Sequence, residues 1–304
     1  MQQWQAEFIL DPEVARDLIE SQFPALKIAE FSLFGEGWDN YAFLVNRSIL
    51  FRFPRREIAL AGFAIEQKVL PALSDKLPLK IPVPKYIGIP TKRYPNSFVG
   101  YDFIAGITAC RAALSRAERN ALTVPLAMFL KQLHEIKDRE IIQHLNPDPF
   151  QRFNIKWRLE KGLELLTILA SKGIIKEKAV LQQYMENIEH NLIDEERAVV
   201  HGDLYARHLL LDARKQLVAV IDWGDMHYGT RAADLEILYD FIPKESHSLF
   251  IKEYGTIKEI TLKLSLFRAC YSGLILLNYA NEMNDYDLLK EALQGIDFVL
   301  ENIK

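Results

Sequence analysis

The feature that most constrains this chain is a single change in its apolar pattern near Gly106. Before that residue, short segments rich in Phe, Tyr, Val and Ile alternate with turns, which predicts strands within 31–53, 83–89 and 97–104. One segment, 57–73, instead has apolar residues at helical spacing. The pattern predicts a small antiparallel sheet with turns at 35–37 and 46–47 and one helix.

Beyond Gly106 the apolar residues recur at helical spacing almost throughout. Helices are predicted over 125–136, 157–171, 176–193, 256–283 and 286–302. Pro125 suits the first turn of its helix, where a missing backbone N–H leaves no hydrogen bond unmade. The chain therefore reads as an α+β fold, with an antiparallel-sheet domain over 1–104 and a larger, mainly helical domain over 105–304.

Composition excludes several classes of protein. Lys and Arg number 37 against 41 Asp and Glu, giving a net charge of -4 with both signs scattered along the chain, whereas a duplex DNA binder needs a basic face, so we expect no nucleic-acid partner. No uninterrupted apolar run reaches the length that crosses a bilayer, and residues 1–8 lack the pattern of a secretory leader. Cys110 and Cys270 lie in apolar surroundings and suit buried thiols in a reducing compartment. We expect a cytoplasmic monomer without a membrane partner.

One β island interrupts the helical region, with strands predicted over 198–201, 208–211 and 217–221. It carries the run from His201 through Asp203 to His208, and its last strand leads into Asp222. Phosphoryl transfer needs a base for the attacking hydroxyl and ligands for Mg²⁺ on the phosphates. Asp203 fits the base, and Asp222 and His208 fit the metal ligands.

The first domain offers the groups that would hold a nucleotide. Gly35 and Gly37 lie in a turn between strands, where backbone can cover phosphates. Arg52 points out of an apolar strand, and a charge there is costly unless it is paired. Glu66 on the following helix is its predicted partner. Arg52 stays charged at all accessible pH values, so it would act on phosphate only as a clamp.

Taken together, these motifs resemble the aminoglycoside phosphotransferase family, whose HxDxxxxN/H and IDW patterns match His201 to His208 and Ile221 to Trp223. His208 stands where most members have Asn, and this makes the chain most similar to the aminoglycoside 2''-phosphotransferase and macrolide phosphotransferase subgroups. The resemblance implies a bilobal protein-kinase-like fold and a Mg²⁺-dependent kinase of small molecules. It also implies that Asp234 supports the catalytic loop from the start of a helix.

The same resemblance places the hinge that binds the nucleotide base at 99–106. Tyr101 then occupies the gatekeeper position, and the backbone groups of Asp102 and Ile104 contact the base. In the resembling subgroups a bulky gatekeeper accompanies the use of GTP. We therefore keep both ATP and GTP as phosphoryl donors.

The acceptor is expected to contact the segment after Asp222, where acids alternate with aromatic residues. Asp225, Glu236 and Asp240 are the candidate acceptor-binding residues. Acids suit a polycationic aminoglycoside, whereas the aromatic residues suit a macrolide or another hydroxylated metabolite with a single amine. A nucleotide-binding pseudokinase, and a metal hydrolase built on His201, Asp203, His208, Asp222 and His227, are the alternatives outside this class.

Overall fold

The computed structural model describes residues 6–304, and the chain divides into two compact units. The first contains the described residues up to Lys76 together with Lys80–Ala105 and Ile221–Asp225, and the second contains Leu77–Leu79, Gly106–Val220 and Met226–Lys304. The chain passes from one unit to the other at Ala105, where its apolar pattern changes. The prediction assigned Ala105 and residues 221–225 to the second domain, whereas they belong to the first unit, and it assigned residues 77–79 to the first domain, whereas they belong to the second unit. Residues 1–5, part of the segment considered for a leader, lie outside the described residues.

The first unit is built on an antiparallel five-stranded sheet. Its elements are α1 (Pro12–Gln22), β1 (Phe31–Glu36), β2 (Asn40–Val45), β3 (Ile49–Pro54), α2 (Ile58–Leu73), β4 (Pro84–Gly88) and β5 (Phe98–Asp102), with the strands in the spatial order β1, β2, β3, β5, β4. Because β1 runs through Glu36, the turn falls at 37–39 rather than at the predicted 35–37.

Aromatic packing sets the two faces of this sheet. Phe51 and Phe53 of β3 are buried, and the ring of Phe53 stacks on that of Phe98 with centroids 4.2 Å apart. Successive side chains of a strand point to opposite faces, so Arg52 between them points away from this core. On its face lie Phe63 of α2 and Tyr101 of β5, which pack together.

The second unit is mainly helical. Its helices are α3 (Arg116–His134), α4 (Arg139–Ile142), α5 (Ile155–Ser171), α6 (Lys178–Glu186), α7 (Ala232–Leu235), α8 (Ile237–Asp240), α9 (His247–Tyr254), α10 (Glu259–Glu282) and α11 (Tyr286–Ile303). Its strands are β6 (Ile107–Thr108), β7 (Ala198–Val200), β8 (Leu209–Leu211), β9 (Leu217–Val220) and β10 (His227–Gly229). Among the described residues, α10 alone is long and apolar enough to span a membrane, yet 61% of its apolar stretch is buried against the protein.

Two predictions for the helices need correction. Pro125 lies inside α3 rather than in a first turn, because Ser115 and Glu118 form a capping box that starts the helix earlier. The buried residues on both sides of Pro125 keep the helix intact despite the lost hydrogen bond. The helix predicted over 176–193 is shorter, since α6 ends at Glu186.

The β island also differs from its predicted form. β8 and β9 pair as expected and are joined by β6, but β7 pairs with β10 in a separate two-stranded sheet. Residues 201–208 therefore connect two small sheets. This connection holds the candidate catalytic residues between fixed ends, as loops on a rigid scaffold do.

Candidate active site

A buried carboxylate holds the start of the 201–208 loop. Asp234 accepts hydrogen bonds from the backbone N–H of His201 at 2.8 Å and of Gly202 at 2.7 Å. Gly202 has a φ of 86°, a left-handed value that a residue with a side chain adopts at a cost. Asp234 thus fixes the backbone just before Asp203, which is the role that the family resemblance implies.

His134 holds Asp234 from the other side. Its Nε2 lies 3.0 Å from Asp234 Oδ2, and its Nδ1 lies 2.7 Å from the hydroxyl of Tyr254. Burial alone would raise the pKa of Asp234, but its contact with His134 and the hydrogen bond from Gly202 bring the pKa below its ordinary value. His134 therefore positions the carboxylate that holds the catalytic loop, and no local spacing in the sequence links it to Asp234.

Asp203 follows directly and presents its carboxylate outward. Its side chain is 41% exposed and lies 3.6 Å from Nδ1 of His208. The same Nδ1 lies 2.7 Å from the backbone carbonyl of Asp203. Because a carbonyl only accepts, Nδ1 donates, and in a neutral imidazole Nε2 then carries the lone pair. The predicted base is accessible, and His208 has the tautomer that a metal ligand needs.

A charged network lies on the α2 face of the first unit. Arg52 donates to Glu66 Oε1 at 3.0 Å and to Asp222 Oδ1 at 2.8 Å. The first of these confirms the predicted ion pair. The guanidinium also lies over the ring of Phe63, 5.1 Å from its centroid. Burial would lower the pKa of Arg52, but Glu66 and Asp222 raise it, so Arg52 remains charged.

Tyr101 completes this network. It is buried, and its hydroxyl donates to Glu66 Oε2 at 2.5 Å, on the oxygen that Arg52 does not take. Burial, then the charge of Glu66, raises the pKa of Tyr101, so the phenol keeps its proton. The sequence had suggested Tyr101 only as a gatekeeper. The structure adds a contact through which it orients Glu66.

Asp222 reaches the network from a constrained turn. Its φ of 65° lies in the left-handed region, which is uncommon outside glycine and often marks functional sites. The turn packs closely on α2, since a Cβ added at Gly62 would lie 2.6 Å from the carbonyl oxygen of Gly224. Trp223, which lies between Asp222 and Gly224 in this turn, is fully buried. The side chain of Asp222 is nevertheless 46% exposed, so it could contact a ligand.

Among the described residues, no group of three His, Cys, Asp or Glu side chains is placed to hold a metal. Magnesium on a nucleotide needs no such group, because one or two carboxylates, the phosphates and water complete its shell. Asp222 supplies a partly exposed carboxylate of that kind. The residues therefore fit a Mg²⁺–nucleotide complex and do not fit an all-protein metal cage.

The turn with the two glycines leaves space around them. A Cβ at Gly35 would meet nothing within 4 Å, and one at Gly37 would lie 3.6 Å from a backbone oxygen. Arg55 braces the turn by donating to the Gly37 carbonyl at 3.1 Å, and Arg56 pairs with Asp39 at 2.9 Å. Packing within the protein therefore does not require glycine at either position. A ligand that approaches the backbone closely would be a different reason for glycine at these two positions. These two arginines were not among the predicted site residues.

The remaining predicted nucleotide contacts lie at the end of β5. The carboxylate of Asp102 faces outward and pairs with Lys85 at 2.8 Å. The next residue, Phe103, donates its backbone N–H to Ser48 at 2.7 Å, and Ile104 is half-buried. The base-contacting roles of Asp102 and Ile104 stay predictions.

The three predicted acceptor-binding acids are placed differently from one another. Asp225 belongs to the first unit, whereas Glu236 and Asp240 belong to the second. Glu236 is buried, with Arg268 at 3.0 Å and the hydroxyl of Ser272 at 2.7 Å. Burial raises the pKa of Glu236 to about 7 against the opposing charge of Arg268. Glu236 is thus already engaged by protein groups.

An antiparallel five-stranded sheet followed by a mainly helical unit, with Asp203 on a braced loop and an Arg–Glu–Asp network, defines a kinase-like phosphotransferase. A family model described as "Phosphotransferase enzyme family" matches residues 30–263, and the chain belongs to this family. It is therefore a small-molecule phosphotransferase of the antibiotic-kinase type.

Solved structures of the same fold span almost the whole chain. The GDP and kanamycin complex of an aminoglycoside 2''-phosphotransferase is 22% identical, with a TM-score of 0.68 over 95% of this chain and 98% of that one. An ADP-bound aminoglycoside phosphotransferase is 23% identical, with a TM-score of 0.59 over 95% and 99%. Macrolide 2'-phosphotransferase from Brachybacterium faecium is 16% identical, with a TM-score of 0.60 over 94% and 97%. These likenesses establish the fold.

Proposed function

We propose that this chain transfers the γ-phosphate of ATP or GTP to a hydroxyl group of a small acceptor, working as a cytoplasmic monomer. The observation that carries the proposal is the position of Asp203, directly after a backbone segment that the buried Asp234 holds by two hydrogen bonds. A base fixed in this way loses little freedom on reaching the reactive geometry.

In this reaction Asp203 orients the acceptor hydroxyl and takes its proton. The acceptor oxygen forms a bond to the γ-phosphorus, the bond from that phosphorus to the bridging oxygen breaks, and the nucleoside diphosphate leaves with the bond's electrons. Positioning and charge stabilisation supply most of the rate enhancement in such transfers. The exposed carboxylate of Asp203 suits both parts of its role.

Arg52 would clamp phosphate oxygens while Glu66 holds its guanidinium. Gly35 and Gly37 would allow backbone to approach the phosphates, and Asp102 and Ile104 would bind the base. Asp222 and His208 would hold Mg²⁺, which when bound neutralises phosphate charge. The proposal for His208 is supported by the hydrogen bond of its Nδ1 to a carbonyl, because such a bond orients the ring and fixes the tautomer that a metal ligand needs.

For the acceptor, an aminoglycoside-type antibiotic is the first candidate. A structure of the same fold is a complex with GDP and kanamycin, and Asp225, Glu236 and Asp240 could meet ligand amines. A macrolide, or another hydroxylated metabolite with one amine, is the second candidate. It is favoured by the ion pair of Glu236 with Arg268, which removes one of these acids from ligand binding.

The test is release of nucleoside diphosphate with aminoglycosides, macrolides and simple amino alcohols, each with ATP and GTP. We expect at least one acceptor to stimulate release far above the rate of the D203A variant. Nucleotide binding without release for every acceptor would overturn the proposal in favour of a pseudokinase. Bound zinc with hydrolytic activity would overturn it in favour of a metal hydrolase.

A further inference from the structure

The peptide group that joins Gly202 to Asp203 is hydrogen-bonded at both of its edges. Its N–H, which belongs to Asp203, donates to Nδ1 of His201 at 3.3 Å. Its carbonyl, which belongs to Gly202, accepts a hydrogen bond from Nη2 of Arg268 at 3.2 Å. Because a peptide group is planar, bonds at its two edges fix the rotation of the whole plane. This plane directly precedes the Cα of Asp203, so it sets the direction in which the side chain of Asp203 leaves the backbone.

The residue before Asp203 makes such a restraint necessary. Gly202 has a φ of 86°, and glycine reaches both positive and negative φ values readily. Asp234 holds the N–H groups of His201 and Gly202, and both of these belong to peptide groups that precede Gly202. The peptide group that follows Gly202 is held instead through His201 and Arg268. The bond from Arg268 has a charged donor, and such bonds are stronger than those between neutral groups.

Arg268 is itself held in place by protein groups. It is buried on α10, where its Nε donates to Glu236 Oε1 at 3.0 Å and to the carbonyl of Ala233 at 3.4 Å. Ser272, one turn further along the same helix, donates to the other oxygen of Glu236 at 2.7 Å. The guanidinium is a rigid planar group, so fixing its Nε also fixes the direction in which Nη2 points at Gly202.

Stability alone does not account for a buried arginine at this place. A buried Arg–Glu pair loses the hydration of both charges, and apolar side chains of similar volume often stabilise a fold equally well. An apolar side chain, however, cannot donate to the carbonyl of Gly202. The contact with the loop is therefore the feature of Arg268 that a fully apolar core could not reproduce.

We propose that Arg268 is a positioning residue for phosphoryl transfer, which holds the Gly202–Asp203 peptide group so that the carboxylate of Asp203 meets the acceptor hydroxyl. Asp234 fixes the backbone before Gly202, and Arg268 fixes the backbone after it. The inference rests on the proposed function in taking Asp203 as the base. The restraint of the loop by Arg268 does not depend on that function.

The first test is the variant Arg268→Lys, which keeps a positive charge opposite Glu236 but replaces the planar fork by a single nitrogen. Misplacing a reacting group by about 1 Å can lower a rate roughly 10²-fold, so we expect kcat to fall by roughly tenfold or more. The KM for nucleotide should stay within a few fold. Each kcat is divided by the concentration of nucleotide-binding sites from calorimetry, so that unfolded protein does not count.

The matched control is Arg119→Lys in the same unit. Arg119 of α3 is also buried and also pairs with a glutamate, donating to Glu291 of α11 at 2.8 Å and 2.6 Å. The same substitution there should lower the melting temperature by a comparable amount and leave kcat per site unchanged. An equal fall of kcat in both variants would overturn the inference, because any buried arginine would then have the same effect.

The second test measures the loop itself, by backbone hydrogen exchange of the 201–208 segment in the full chain. Exchange should be faster in Arg268→Lys than in the wild type and unchanged in Arg119→Lys. If Arg268→Lys does not fold, the same measurements are made on the double variant Arg268→Met with Glu236→Leu. That variant leaves no buried charge unpaired. We expect it to show the same lowered kcat and faster exchange.

The two tests together separate the two proposals. Release of nucleoside diphosphate by the wild type, with unchanged kcat per site or unchanged loop exchange in Arg268→Lys, would overturn the positioning role and leave phosphoryl transfer standing. No release by the wild type with any acceptor, while loop exchange still depends on Arg268, would overturn phosphoryl transfer. The restraint of the loop by Arg268 would then still stand.

Discussion

The two units fix their functional charges by different means. In the first, Arg52, Glu66, Tyr101 and Asp222 contact one another through side chains only. In the second, the carboxylate of Asp234 binds backbone N–H groups of the loop that carries Asp203. A side-chain network can reorient when a ligand enters, whereas a carboxylate that holds backbone is part of the fold.

This difference predicts where substitutions act. Changes at Asp222, the half-exposed member of the first network, should alter nucleotide binding while the unit stays folded. Changes at Asp234 should alter stability and catalysis together. Changes at Asp203, which the second unit holds but does not need for folding, should alter catalysis alone.

The largest effect is expected for Asp203→Ala. A positioned base is worth about 10²-fold or more, so kcat should fall at least that far while nucleotide affinity stays within a few fold. Steady-state rates and nucleotide calorimetry measure the two quantities. Asp203→Asn should behave in the same way. Retention of more than about a tenth of the wild-type kcat would mean that another residue is the base.

Asp234→Asn should produce the next largest effect, on stability. An amide cannot accept all the hydrogen bonds that this carboxylate accepts, and leaving a buried donor unsatisfied costs about 1 to 3 kcal/mol. Urea unfolding should therefore show a free energy of unfolding lower by about that amount at pH 7. Because the folded pKa of Asp234 is lowered, its stabilisation is present above the unfolded pKa and is lost as pH falls through the folded pKa.

The difference between the wild type and D234N should accordingly shrink as the pH falls below about 4, the ordinary range of an Asp carboxyl. A gap that stays constant down to the lowest pH at which the protein folds would contradict the charged role of Asp234. Equal free energies of unfolding for the wild type and D234N at pH 7 would contradict the difference between the two units in how they fix their functional charges.

Asp222→Ala should act on nucleotide binding rather than on folding. Without its carboxylate, Mg²⁺ and the phosphates lose a ligand, and we expect roughly tenfold weaker binding of magnesium nucleotide, about 1.4 kcal/mol. Calorimetry with and without Mg²⁺ measures this, and the loss should be confined to the titration with metal. Equal affinity and equal turnover would exclude the magnesium role.

The sequence predicted the sheet, most helices and the Arg52–Glu66 pair, because each depends on local periodicity or on a costly charge in a strand. It did not predict the partner of β7, since strand pairing across distant segments is not encoded in local spacing. The contact of Arg52 with Asp222 joins residues 170 positions apart and had no local signal. The prediction for Pro125 was wrong because the helix preference of a single residue contributes less free energy than the burial of the helix that contains it.

The smallest expected effect concerns Tyr101, where the ring and the hydroxyl can be separated. Tyr101→Ala should change the ratio of kcat/KM for ATP and GTP by roughly tenfold, because a gatekeeper ring limits the space behind the base. Tyr101→Phe keeps the ring and removes only the hydrogen bond to Glu66, whose net worth is about 1 kcal/mol. It should lower kcat/KM for ATP and for GTP by a similar, roughly fivefold factor and leave their ratio unchanged.

If Tyr101→Phe shifts the ratio as much as Tyr101→Ala does, nucleotide choice depends on the position of Glu66 rather than on the ring. If Tyr101→Ala lowers kcat/KM for ATP and for GTP equally, the ring does not face the base, and the hinge assignment is wrong. The ratio carries this distinction because a protein that is merely destabilised loses both activities together.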